Sequence, residues 1–250
     1  MELHEEAEVF VDKDGQLEFS HGKYILKKDN QYYYATTSRR YRSTSEVNPL
    51  DLHLVPIPAS RIWPPFPKSF TRAPKPLPHD CYVKRPSLLY YGDTKASTEL
   101  SRLLFNEAEV CEILMGSPHP NIARYLGCIV EDGRITGLCF VKYGMSLLER
   151  ATKSSPSIAI DLCLQGIRAG MEHLHGLGLI HCDLNPTNIL MTGDTPVIVD
   201  FDSCRREGET LGLKAGTRGW TREEFEFAST ENDEYGFSKI RDFLHQKNPE

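Results

Sequence analysis

Across the 250-residue chain there is no glycine between Gly22 and Gly92. A glycine-rich loop, whose bare backbone can close its amides around a phosphate, is therefore excluded from that stretch. No cysteine pair has C-x-x-C spacing, and the seven cysteines (Cys81, Cys111, Cys128, Cys139, Cys163, Cys182 and Cys204) are odd in number. This argues against a disulfide framework or a zinc site and for reduced thiols that behave as small hydrophobes. No apolar run approaches the roughly 20 residues that span a bilayer. The start, Met1-Glu2-Leu3-His4-Glu5-Glu6, is acidic where a secretory signal is basic and then apolar. Positive charge is also scarce, with a formal net charge of −6, unlike a protein that coats nucleic acid. The absences together point to an intracellular protein, cytoplasmic or nuclear, with neither membrane nor nucleic acid as a partner.

What is present is a hydrophobic fraction of 40%, enough for one well-buried core or two small lobes. Residues 1–45 read as short strands and turns, with Glu8-Val9-Phe10-Val11 and Gln16-Leu17-Glu18-Phe19 flanking the turn Asp12-Lys13-Asp14-Gly15. Between Pro49 and Pro86 lie ten of the sixteen prolines. That stretch is neither a long helix nor a central strand, and reads as an extended wrapping segment or a partly disordered linker. Its surplus of basic residues between Arg61 and Arg85 reads as a solvated face.

From Asp80 the texture becomes globular. Cys81-Tyr82-Val83-Lys84 reads as a strand, and Leu103, Glu107, Val110 and Leu114 share one helix face. A glutamate on that face needs a partner once buried. Arg134 to Tyr143 reads as a strand pair. Ile160, Leu164, Ile167, Met171 and Leu174 mark a buried-face helix with Ser157 as its cap. Ile189-Leu190-Met191 and Val197-Ile198-Val199 are strands about a turn at Gly193-Asp194, and Phe237, Ile240, Phe243 and Leu244 mark a last amphipathic helix.

The block that carries chemistry is His181-Cys182-Asp183-Leu184-Asn185-Pro186-Thr187-Asn188, followed by Ile198-Val199-Asp200-Phe201-Asp202. Two carboxylates and an amide stand at the ends of one hairpin, and such oxygens are the hard ligands that magnesium prefers. The first block resembles the catalytic loop H-R-D-x-x-x-x-N of protein kinases and the second their D-F-G. The resemblance covers roughly residues 80–250 and implies an α+β, two-lobed fold. Its parts would be a divergent N-terminal region (1–79), a β-rich N-lobe (80–143) and a shortened, mainly helical C-lobe (144–250). It implies ATP and Mg2+ as cofactors and a protein substrate or partner chain. Asp183 would orient the substrate hydroxyl, Asn188 and Asp200 would hold the metal, and Lys84, paired with Glu107, would bind phosphates. Phe140, Lys142 and Tyr143 would meet the adenine. Gly216-Thr217-Arg218-Gly219-Trp220 resembles the segment beside the substrate hydroxyl, Glu224 the glutamate of A-P-E, and Asp233 the aspartate opening the central helix.

The departures from the family pattern are specific. The glycine-rich loop is absent, Cys182 replaces the arginine of H-R-D, Asn185 replaces a lysine that contacts the transferred phosphate, and Asp202 replaces the glycine of D-F-G. The chain stops soon after Asp233, which would leave Phe237, Phe243 and Leu244 exposed. The short kinase-like proteins of fungi have this look. Three activities stay open on these residues: a Ser/Thr protein kinase, a nucleotide-binding or scaffolding pseudokinase, and a small-molecule phosphotransferase of the aminoglycoside or choline kinase type, which Asn185-Pro186 and Asp202 also fit.

Overall fold

The computed structural model describes residues 1–43, 46–93, 98–153, 158–212, 216–222 and 224–247. The fold is α+β. The chain forms two compact units, one of Met1–Pro65 with Arg85–Arg102 and one of Phe66–Lys84 with Leu103–Glu250.

The first unit is built on an antiparallel sheet of β1 (Glu2–Lys13), β2 (Gln16–Lys28), β3 (Gln31–Thr37) and β4 (Val55–Ile57), in that order. The expected first turn is there, with Gly15 N–H donating to Asp12 Oδ1 at 2.8 Å. The strands it joins are far longer than the four-residue runs that flank it in sequence. Both faces of β2 are covered, so consecutive residues are buried. Tyr24 and Leu26 pack with Ala35 and Leu52 on one face, and Ile25 packs with Ile57, Ile62 and Leu88 on the other. Lys23 is buried beside them, donating to Tyr91 O at 2.8 Å and pairing with Asp93. The prolines sit where their missing N–H costs nothing: Pro49 opens a 3-10 turn capped by Asn48, and Pro56 lies in the edge strand β4. A short helix, α1 (Ala59–Ile62), follows.

The second unit holds a sheet of order β5-β7-β6, made of β5 (Cys81–Lys84), β6 (Tyr125–Glu131) and β7 (Arg134–Val141). The hairpin is thus Tyr125–Val141 and turns at Asp132-Gly133, whereas the sequence suggested a strand pair within Arg134–Tyr143. Gly127 disguises the first strand, because it interrupts the apolar run. Helix α2 (Leu100–Gly116) lies between β5 and β6 in the chain and buries Leu104, Glu107, Ala108, Val110, Cys111 and Leu114.

The residues ahead of β5 run beside β6. Ala73 N–H donates to Cys128 O at 2.9 Å and Cys128 N–H to Thr71 O at 2.8 Å, around a parallel bridge between Arg72 and Cys128. Gly127 permits this approach: its φ is 124°, and a Cβ there would lie 2.5 Å from Arg72 C and Ala73 N. The same segment grips α2. Phe70 stacks on Phe105 with centroids 5.4 Å apart, and Glu112 accepts from Thr71 N–H at 2.8 Å and from its hydroxyl at 2.9 Å.

Farther along come α3 (Leu147–Thr152), α4 (Ile160–Gly176), β8 (Leu179–Ile180), β9 (Ile189–Thr192), β10 (Thr195–Ile198), β11 (Arg205–Arg206) and α5 (Thr230–Lys247). Helix α3 starts with a capping box of Ser146 and Glu149. The expected cap of α4, Ser157, lies outside the described residues, and Ala159 at the N-cap position contributes no side-chain bond. The stripe on α5 is covered, contrary to the expected exposure: Phe237 is 8% exposed, Ile240 and Leu244 are 0% exposed, and Phe243 meets the edge of Trp220 at 6.1 Å. Spacing of three and four places the three buried residues on one face, and the Arg168 guanidinium lies 4.2 Å over Phe237. Gly236 lets α5 press directly on the carbonyl of Leu184. Among the described residues no helix is long and apolar enough to cross a membrane.

Candidate functional site

Strand β5 ends at Lys84 and α2 carries Glu107 inward. The Lys84 ammonium donates to Glu107 Oε1 at 2.7 Å and to Asp200 Oδ1 at 2.6 Å, with Asp202 Oδ2 at 3.9 Å. The buried-partner requirement on Glu107, which is 2% exposed, is thereby met. Burial alone would lower the pKa of Lys84, but Glu107, Asp200 and Asp202 outweigh it and raise it. Burial pulls the Glu107 carboxyl upward against the pull of Lys84. Glu107 Oε1 also accepts the Phe201 N–H at 3.2 Å. Two donors converging on one oxygen call for the ionised carboxylate, so the charged pair is the form the geometry describes.

The loop between β8 and β9 is held from α5. Asp233 accepts from the N–H groups of His181 and Cys182, both at 2.9 Å, and its Oδ2 lies 2.9 Å from His175 Nε2. These bonds fix Cys182 in the left-handed region, at φ 63°. Its thiol sits in an apolar cluster with Ile180, Leu211 and Ala228. Burial and then Asp233 push its pKa up, which disfavours the thiolate. His181 donates to Val199 O at 3.0 Å and meets the Phe201 ring edge-on at 5.8 Å, which is a supporting place.

Asp183 is ringed by donors. Its Oδ1 accepts Asn185 Nδ2 at 3.0 Å and Thr217 N–H at 2.8 Å, and its Oδ2 accepts Asn188 Nδ2 at 3.2 Å. Asn185 is 1% exposed, and its other end accepts from Thr187 N–H at 2.9 Å. It therefore stands inside the loop rather than where a lysine would reach a ligand. The hairpin pairs Ile189 with Ile198, and Val199 N–H donates to Asn188 O at 2.9 Å, which brings Asn188 and Asp200 to one place. Asp200 adopts φ 66°. Two non-glycine residues in that region cost about 1–3 kcal/mol each, and the surrounding bonds must over-determine them. Glu224 is exposed, with Arg222 at 4.0 Å.

Beside these groups lies a cavity of about 360 Å³. Lys84, Phe140, Lys142, Tyr143, Asn188 and Asp200 all line it, as do Tyr82, Leu190 and Val199, which the sequence reading passed over. Asp183 and Glu107 stand behind Asn188 and Lys84 and are not in its wall. Alternation along β5 points to Tyr82, two residues from Lys84, and the apolar strand ends point to Leu190 and Val199. The 141–143 stretch is pinned: Val141 N–H donates to Arg124 O at 3.0 Å, Lys142 N–H to Asp80 O at 3.1 Å, and Tyr143 Oη accepts Arg124 N–H at 2.9 Å. The volume is within the range for small-molecule sites.

The donor set suits magnesium with a polyphosphate. No group of three or more His, Cys, Asp or Glu side chains is placed for a metal among the described residues. Magnesium needs no such cage, because one or two carboxylates suffice when waters and phosphates complete its shell. Asp200 supplies a carboxylate. Asn188 spends its Nδ2 on Asp183, which leaves its oxygen as the hard donor.

The family model described as the protein kinase domain matches residues 92–231. A serine/threonine-protein kinase/endoribonuclease IRE1 of Hypocrea jecorina is 28% identical over 163 residues, covering 56% of this chain and 12% of that protein. A putative serine/threonine-protein kinase, L673, of Acanthamoeba polyphaga mimivirus is 34% identical over 110 residues, or 42% of this chain and 20% of that protein. Mitogen-activated protein kinase kinase kinase 3 of Arabidopsis thaliana is 33% identical over 121 residues, or 45% and 18%. The chain thus spans a fifth or less of the length of these relatives.

Proposed function

The chain belongs to the protein kinase family, and on that premise we propose that it binds ATP with Mg2+ and transfers the γ-phosphoryl group to a serine or threonine hydroxyl of a protein. One observation carries the reading: Lys84 joins Glu107 at 2.7 Å to Asp200 at 2.6 Å on the wall of a cavity that Asn188 also lines. In it, residues 80–143 and 144–250 serve as the two lobes, and 1–79 is an added region. Phe140, Lys142 and Tyr143 face the base, Lys84 steadies the phosphates, and Asn188 and Asp200 hold the metal, which when bound would neutralise phosphate charge. Thr217, tied to Asp183, lies where the incoming hydroxyl would be oriented. Catalysis of this kind is mostly positioning and charge stabilisation.

Thermal unfolding with ATP and Mg2+, each also alone, tests the binding step. A ligand at 100 times its Kd adds about 2.7 kcal/mol, so a clear upward shift needing both components is expected, and Asp200→Asn should remove it. An Asp200→Asn chain that melts higher with MgATP, as the parent does, refutes the metal assignment. Asp183→Ala should stop transfer while nucleotide stays bound.

A second reading, nucleotide binding without transfer, has its own support. Asn185 is buried inside the loop, so no cation from that position stabilises the transferring phosphate. Bound nucleotide with no label transferred to any protein acceptor is the outcome that favours it.

A further inference from the structure

Just past β10 the chain alternates. Phe201 is buried and meets the His181 ring edge-on. Asp200 and Asp202, on either side of it, both reach the Lys84 ammonium, Asp200 Oδ1 at 2.6 Å and Asp202 Oδ2 at 3.9 Å. With Glu107 Oε1 at 2.7 Å, three carboxylates face one cation. The family pattern has glycine at position 202, so this chain carries one negative charge beside its lysine that the pattern lacks. Asp202 is anchored in its own turn, where its Oδ1 accepts the Ser203 hydroxyl at 3.2 Å and its carbonyl accepts Arg205 Nη1 at 3.2 Å. Lys84 and Asp200 line the cavity, and Asp202 stands behind them. It therefore acts on a ligand through its charge, and that charge is only partly screened, because its side chain is 18% exposed. A polyphosphate without metal is strongly anionic, so a carboxylate beside the lysine that would hold it opposes its entry. The same carboxylate attracts a divalent cation carried on the phosphates.

We propose that Asp202 makes nucleotide binding at this site depend on the divalent cation, by repelling bare polyphosphate at Lys84 while accepting the magnesium complex. This rests on the nucleotide reading above and gives that site a control the family pattern does not carry. Asp202 is a charge-setting residue that works through Lys84, and the metal ligands stay Asn188 and Asp200.

The test is calorimetric titration of the full chain with ATP in excess EDTA and with MgATP, and the readout is the ratio of the two affinities. Asp202→Asn and Asp202→Gly should tighten metal-free ATP about tenfold or more and leave MgATP within about threefold, the scale of one unit charge acting across several ångströms in a partly buried site. Asp202→Glu keeps the charge and should hold the ratio within about twofold of the parent. Adenosine, which has no phosphate, should bind all four chains alike, or none. An unchanged ratio in Asp202→Asn, an Asp202→Glu ratio that falls as far, or a parent that binds ATP in EDTA as tightly as MgATP each overturns the role. So does a loss of MgATP affinity in Asp202→Asn with metal-free ATP unaltered, which would make Asp202 a metal ligand. All of these leave the nucleotide reading standing, because the parent still binds MgATP. A parent chain that binds no MgATP overturns both together. Lost folding would weaken both ligands at once, whereas the role proposed tightens one of them, so the ratio separates the two.

Discussion

Around Asp183 the polar groups close on one another. Along Phe66–Ala73 they serve only to lay one segment against β6 and α2. The first region draws on β8, β9 and α5, and nearly every donor in it meets a buried oxygen: Asp233 takes two backbone N–H groups, Asp183 takes three donors, and Asn185 is spent at both ends. The second is held by two backbone bonds to Cys128, a third from Phe66 N–H to Gly133 O at 2.9 Å, one carboxylate and one ring stack. A closed network of buried polar groups tolerates little change, since each unpaired member costs its full desolvation. A segment held by a few edge bonds has no such network, and the loss of one bond leaves the others in place. The closed network carries the residues that match the family pattern, and the edge-bound segment belongs to the stretch without glycine.

Breaking the closed region should cost most. Asp233→Ala leaves two buried N–H groups and His175 without their acceptor, and is expected to lower stability by roughly 3–5 kcal/mol in denaturant unfolding. A loss below 1 kcal/mol would mean that water or another acceptor takes over, and the contrast would fail. Gly127→Ala strikes the other region, forcing a Cβ against Arg72 and Ala73 at a φ of 124°; about 2–3 kcal/mol is expected, with Thr71 and Ala73 losing hydrogen-exchange protection before Asp183 does. Thr71→Val removes one hydroxyl from Glu112 and should cost about 1 kcal/mol, and equal losses for Thr71→Val and Asp233→Ala would erase the distinction.

The smallest effect is a pH effect at the start of α3. Backbone and then side-chain bonds from Ser146 hold the Glu149 carboxyl below its usual pKa. A folded-state pKa below the unfolded one gives stability that is present above the unfolded value and lost as pH falls through the folded value. Glu149→Gln should therefore narrow its gap to the parent as pH drops below about 4.5, the ordinary value. A gap that stays constant through that range would show the cap to be independent of charge.

Much of the site was legible because its signals are local. The step from Asp183 to Asn188, the hairpin to Asp200 and the helical phase of Glu107 each lie within one element or one turn; in the structure Lys84 meets Glu107 and Asp200, and Asn188 bonds to Asp183. The rest depends on partners distant in the chain. Strands β1 and β2 read as short runs because their outer halves carry charge, and only the ladder between them makes them long. Nothing local says that Thr71 meets Glu112, or that Phe237 and Leu244 are covered. Although Asp202 stands where the family pattern has glycine, the turn forms: Asp200, two residues earlier, takes the left-handed conformation, and Cys204 N–H closes on Phe201 O at 3.1 Å.

The chain passes between its two units at three places: Pro65 to Phe66, Lys84 to Arg85, and Arg102 to Leu103. The four-stranded unit is therefore assembled from two separate stretches of the chain. Residues 85–102 lie between Lys84 and Glu107 in the chain, and Leu88 within them packs on Ile25, Ile57 and Ile62, while its N–H donates to Glu5. Cutting away residues 1–65 would strip the apolar partners from that connection and leave bare the peptide that links the lysine to its glutamate. A chain shortened in this way would keep residues 85–102 and lose the sheet on which Leu88 packs.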